Sequence, residues 1–185
     1  MKALAIRIVL AFVIISCTPL FAQGTFYFSN FVQSEVNAPV FDARGNPLEG
    51  ANYLAALWTG GTSDSLRPVA SSTTPFQIGT LAGYFLGSVV TTPIPPGALA
   101  SLQVRAWDAR LGGTYEEVAR LGIGGYGESN IIRALAGNPD GGVPTLPGSL
   151  IGLQSFSLRP IPEPSPTLLF LLGLPWLLWH CWRAK

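Results

Sequence analysis

Histidine occurs once in these 185 residues, at position 180, cysteine only at 17 and 181, and methionine only at position 1. Between Gln23 and Arg159 there is no Cys, no His and no Lys. That long interior therefore has no Ser-His-Asp or Cys-His nucleophile and no imidazole or thiolate zinc site. Disulfides are excluded with the cysteines, so a domain built there must stand on a hydrophobic core. Positive charge is scarce too: seven Arg face nine acids, a net of −2. Nucleic acid, which needs clustered cations against its phosphates, is not an expected partner. No cofactor motif and no metal site is read. Carboxylate chemistry survives the exclusions, and Asp108 with Glu116 or Glu117 can be drawn as a glycosidase pair. Adjacent acids in a short polar stretch are more often a solvated face, so the interior is read as non-enzymatic.

The mean hydropathy of +0.38 is high for a soluble domain, and the excess sits at the two ends. Residues 1–22 have the layout of a secretory signal peptide, with Lys2 and Arg7 at the start, an apolar core from Ile8 to Ile15, and Ala22 before the polar Gln23. Signal peptidase would cut after Ala22. A competing reading takes Ile14-Ile15-Ser16-Cys17 as a lipobox with Cys17 lipidated, although Leu20 and Phe21 stay apolar where a lipoprotein turns polar.

Residues 23–159 are rich in Gly, Pro, Ser and Thr, with short apolar runs between turn formers, which predicts strands and hairpins. The longer runs are Thr25 to Val32, Asn52 to Trp58, Tyr84 to Thr91, Leu102 to Trp107 and Leu153 to Leu158. Shorter ones lie at Pro39 to Phe41, Pro75 to Ile78, Tyr115 to Ala119 and Asn130 to Leu135. In Leu102 to Trp107 the apolar Leu102, Val104 and Ala106 alternate with Gln103, Arg105 and Trp107. About eight or nine short strands predict an all-β domain, a sandwich of two antiparallel sheets. Only Tyr115 to Leu121 and Ile131 to Leu135 have room for a helical turn or two. Gly122 to Gly127 (GIGGYG) reads as a flexible connection, because no Lys-Ser or Lys-Thr follows to make it a phosphate loop.

Trp58 and Trp107, with five tyrosines, are the candidate glycan contacts, since exposed aromatic faces stack on sugars. The competing expectation is that they fill the core. Asp42, Asn46, Asn138 and Asp140 offer oxygen ligands in loops, but no spacing matches a calcium loop.

Residues 160–185 read as a second address. Pro160, Pro162, Glu163, Pro164 and Pro166 make a stiff, extended stalk. Thr167 to Trp182 then runs sixteen residues without Asp, Glu, Lys or Arg, about 24 Å of helix against a hydrocarbon core of about 30 Å. Trp176, Trp179 and Trp182 suit the headgroup region, and Arg183 and Lys185 form a membrane stop that stays in the cytoplasm. A GPI signal normally lacks the basic end, and a plain tail anchor leaves Pro-Glu-Pro unexplained.

Signal peptide, Pro162-Glu163-Pro164, apolar helix and basic terminus together resemble the PEP-CTERM sorting signal of Gram-negative bacteria, and the chain is identified as a member of that class of exosortase substrates. The resemblance covers Ile161 to Lys185. It implies export, transient anchoring in the inner membrane, processing by exosortase, and release to the cell surface or extracellular matrix in association with exopolysaccharide. The expected function is that of a non-enzymatic surface or matrix protein. A carbohydrate-binding module of the same matrix is the alternative, and a carboxylate-dependent hydrolase the least supported.

Overall fold

The computed structural model describes residues 23–162, so the expected signal peptide at residues 1–22 and residues 163–185 lie outside the described residues. In chain order the strands are β1 (Gly24–Phe28), β2 (Phe31–Val32), β3 (Val36–Asn37), β4 (Val40–Phe41), β5 (Tyr53–Gly60), β6 (Arg67–Pro68) and β7 (Thr74–Pro75). They continue with β8 (Ser88–Thr92), β9 (Leu99–Asp108), β10 (Tyr126–Glu128), β11 (Ile132–Leu135), β12 (Gly148–Ser149) and β13 (Phe156–Ser157). One α-helix, α1 (Tyr115–Leu121), interrupts them among the described residues. The protein is mostly strand, in several sheets, and none of the described helices is long and apolar enough to cross a membrane.

The centre is the antiparallel pair β5–β9, in register from Tyr53 opposite Asp108 to Gly60 opposite Ser101. Side chains alternate across a strand, so this register sorts the two sequences onto two faces. Ala55, Leu57, Leu102, Val104 and Ala106 join Phe26, Phe28, Val40, Phe85 and Val90 in the main core. Ala56, Trp58 and Trp107 face the other way and are closed over by Tyr115 and Val118 of α1. Both faces are therefore buried, which is why YLAALWTG and LASLQVRAWD carry so few charges.

Helix α1 forms where the sequence supplies both ends. The Thr114 hydroxyl accepts from the Glu117 amide at 3.3 Å, while the Glu117 carboxylate accepts from the Thr114 and Gly113 amides. This is a capping box. Gly122, at φ 68°, closes the other end in the left-handed conformation. Tyr115 to Ala119, expected as a short strand or a helical turn, is the helix.

Short strands cover the edges of the central pair. β6 and β7 lie along β5, while β10 and β11 lie along β9. Between the last two, Ser129 stands in for the ladder: its amide donates to the Val104 carbonyl and its hydroxyl accepts from the Val104 amide, at 2.9 and 3.0 Å. β1 pairs antiparallel with β8. Two pairings are parallel, β1 with β12 and β4 with β13, so the expectation of purely antiparallel sheets is corrected. Both bring a late segment beside an early strand, a contact that local sequence does not announce. The expected eight or nine strands become thirteen because seven are two-residue edge pieces. Tyr84 to Thr91 is strand only from Ser88 onward, with Phe85 instead bridging to Phe76 in the core.

Asn30, fully buried, ties the β1–β2 corner to two other segments. Its Nδ2 donates to the Ala38 and Gly83 carbonyls at 3.0 and 2.8 Å, and its Oδ1 accepts from the Phe85 amide at 3.0 Å. Asn30→Ala strands these three backbone groups without water and is expected to cost about 2 kcal/mol. Urea denaturation checks this, and an unchanged midpoint contradicts it.

Candidate functional site

The end of the domain is held more firmly than a linker. β13 runs beside β4, and the Leu158 amide donates to the Phe41 carbonyl at 2.9 Å. On the other side the Arg159 amide donates to Tyr126 and its carbonyl accepts from Gly125, at 2.8 and 2.9 Å. The partners of that exit segment are the glycines expected to be flexible. Gly124 has φ 90°, and a Cβ there would stand 2.1 Å from the Pro160 carbonyl oxygen. A Cβ on Gly127 would stand 2.6 Å from the Ser157 carbonyl oxygen. Gly122 to Gly127 is therefore a seat for the outgoing chain, not a free loop, and its absent side chains let two backbones touch.

Pro162, the first residue of the tripeptide, is exposed immediately beyond this seat. Glu163, Pro164, Arg183 and Lys185 lie outside the described residues.

The two tryptophans do not form an exposed platform. Trp58 is 3% and Trp107 2% exposed, both in the cluster beneath α1. The Tyr115 ring meets Trp58 edge-on at 5.4 Å, and the Arg105 guanidinium lies 4.9 Å from the centroids of both rings. The ring faces a sugar would need are taken by protein, and this corrects their expected role as glycan contacts. Burial, with the nearby Glu128 carboxylate, pushes the Tyr115 hydroxyl up to about 12, and that hydroxyl donates to Glu128 at 3.4 Å.

The carboxylates drawn as a hydrolytic pair serve separate turns. Asp108 is 3% exposed, and both its oxygens accept from Arg110. Glu117 caps α1, and Glu116 is exposed on the helix. Among the described residues no three acidic, His or Cys side chains gather as a metal set. Asp42 and Asn46, weighed as calcium ligands, bond to one another within their own turn.

A cleft of about 550 Å³ opens where the exit segment leaves the body. The turn Asp42 to Asn46 forms one side, Tyr53 with Asp108 and Arg110 another, and Leu158 to Pro162 the third. Arg110 is fixed by Asp108 at 2.8 and 2.5 Å and by the Tyr53 hydroxyl at 3.3 Å, with its guanidinium 5.5 Å from the Tyr53 ring centroid. The hydrogen bond to Asp108 and that carboxylate's charge raise the Arg110 pKa above its ordinary value. Arg159 donates to the Tyr126 hydroxyl at 3.0 Å and lies over that ring at 4.8 Å. No local motif marks this cleft, because its walls come from three distant stretches of chain.

Asp42 opposes its modest desolvation with hydrogen bonds from the Asn46 side chain, the Asn46 amide and the Arg44 amide, and with the Arg44 charge. The balance holds it below its ordinary 3.8. A carboxylate with a depressed folded value stabilises above its unfolded pKa, and that contribution fades as pH falls through the folded value. The 42–46 turn is thus expected to loosen on acidification below about pH 3.8. Amide shifts of Arg44 and Asn46 in an NMR pH titration would follow this, and Asp42→Asn would abolish the pH response.

Comparison with family models, curated proteins and solved structures gives no match to this chain.

Proposed function

We propose that this chain is the precursor of an exported, non-enzymatic surface or matrix protein, addressed by its N-terminal segment and sorted by exosortase through Pro162-Glu163-Pro164. The observation that carries the reading is one of order. The tripeptide stands between a folded body and an uncharged run ending in Arg183 and Lys185. Among the described residues its two buried clusters draw on residues 26–158, a body that lies between the two proposed addresses. The backbone is hydrogen-bonded through Arg159, and among the described residues the tripeptide begins beyond the last of these bonds. Residence at the surface or in the matrix, and association with exopolysaccharide, follow from the same resemblance.

A two-sheet sandwich is the architecture proposed for the body. Phe26, Phe28 and Val90 of the β12-β1-β8 sheet share one core with the inner face of β5–β9, which supports two facing layers.

Replacement of Pro162-Glu163-Pro164 by three alanines in the native host tests the sorting reading. The variant is expected to accumulate uncut in the inner membrane while the wild type leaves it. Equal release of both refutes exosortase recognition of this tripeptide.

A further inference from the structure

We propose that strand β8 is a self-pairing edge, through which two copies of this chain join their β12-β1-β8 sheets about a two-fold axis. β8 is the outer strand of that sheet, with β1 on one side. Along an antiparallel ladder, residues alternate between exchanging hydrogen bonds with the neighbouring strand and pointing them away from it. The Thr25 amide and carbonyl are both bonded to Gly137, at 3.1 and 2.9 Å, so Thr25 turns its bonds away from Thr91, its partner in register. The alternation then directs the amide and carbonyl of Val90 toward β1 and those of Val89 and Thr91 outward. Among the described residues these outward groups have no hydrogen-bond partner. The turn Ala70–Ser72 packs near β8 but keeps its own hydrogen bonds with Val69 and Leu57.

The edges of the β5–β9 sheet are closed or blunted. β6 and β7 are two residues long and end in Pro68 and Pro75. β10 is covered by Arg159, whose amide bonds to Tyr126, and β11 carries the exposed Arg133. Short length, proline, charge and cover are the usual defences against unwanted strand pairing. β8 has none of them. Ser88–Thr92 reads SVVTT, five residues without charge or proline, and four of them have β-branched side chains that favour the extended strand. Ser88, Val89 and Thr91 are exposed, Val89 at 57%.

The occupant that these observations fit is a second copy. A strand without charge meets its own copy with no like-charge repulsion. A two-fold axis at Val90 sets Val89 against Thr91 of the partner subunit, so each outward amide faces an outward carbonyl and the axis repeats the exchange. On the outer face this places two β-branched side chains side by side, next to the exposed Tyr27, which stands opposite Val89 in the β1 register. Pro93, without an N–H, ends the ladder. An extended peptide of another protein takes its specificity from side-chain pockets beside the edge, and the cleft at the exit segment borders no residue of β8.

This pairing is independent of the sorting reading and is tested on the full-length protein in detergent micelles, its mass followed by light scattering across a concentration series. The wild type is expected to pass from monomer to dimer, with the Val89 and Thr91 amides gaining protection from hydrogen exchange as it does. Two double variants at the same exposed positions read the register, and circular dichroism checks that each keeps the wild-type fold. Val89→Lys with Thr91→Lys sets like charges opposite one another across the axis and is expected to weaken dimerisation at least about tenfold. Val89→Glu with Thr91→Lys sets opposite charges there and should associate within about threefold of the wild type. A wild type that stays monomeric, as it would if a peptide of another protein were the occupant, overturns the proposal. So does a dimer equally strong in both variants, which places the contact elsewhere in the chain, or rapid exchange of the Val89 and Thr91 amides within the dimer.

Discussion

Trp107→Ala is expected to lower the stability of the body by about 3–5 kcal/mol, the loss that follows deletion of a buried indole. Trp107 lies opposite Leu54 in the β5–β9 register, on the face that α1 covers, and it is 2% exposed. Removing it opens a cavity between the central pair and Val118, where backbone on both sides is already fixed by ladder and capping bonds. The indole Nε1 has no hydrogen-bond partner among the described residues, so the loss comes from packing. Trp107→Phe, which keeps an aromatic ring without the orphan donor, should lose less. Guanidinium denaturation followed by circular dichroism separates the two variants. A Trp107→Ala protein with an unchanged midpoint would mean that the ring is not core.

Gly124→Ala is the second large effect, expected to destabilise by roughly 3–4 kcal/mol through strain and lost backbone bonds. The new Cβ meets the Pro160 carbonyl at 2.1 Å while the residue must hold φ at 90°. Backbone cannot yield as a flexible side chain does, so the exit segment must lift. The bonds from Gly125 to Arg159 and from Arg159 to Tyr126 then break together. Limited proteolysis should open residues 157–162 in the variant while β5 and β9 remain protected. Gly142→Ala, which meets nothing within 4 Å, is the control and should be silent.

These two residues mark what could be read from the chain and what could not. β5 and β9 were legible because burial on both faces writes itself as an apolar run with alternating sizes. The sequence TYEE holds the Thr and Glu of a capping box, yet a seven-residue helix bounded by glycines is too short for its periodicity to separate it from a strand. Trp58 and Trp107 showed aromatic content but not its cover, since α1 reaches them from later in the chain. The GIGGYG glycines read as a flexible connection and proved to be a seat, for the same reason. A glycine permits either freedom or close approach, and the partner that decides between them, Ser157 to Pro160, lies some thirty residues further on. The cleft is less local still. Its fixed Arg110 depends on the β5 start and the β9 end arriving together, and its apolar wall on the exit segment being pinned beside them.

The central proposal is that a folded body is flanked by two removable addresses, and the most direct test is the intact mass of the protein recovered from the surface fraction of its native host. The account predicts a species that begins at Gln23 and ends within the proline-rich stretch at or just after Pro162, and it predicts that this species disappears when the exosortase is deleted. A surface protein that still carries Lys185 would contradict it.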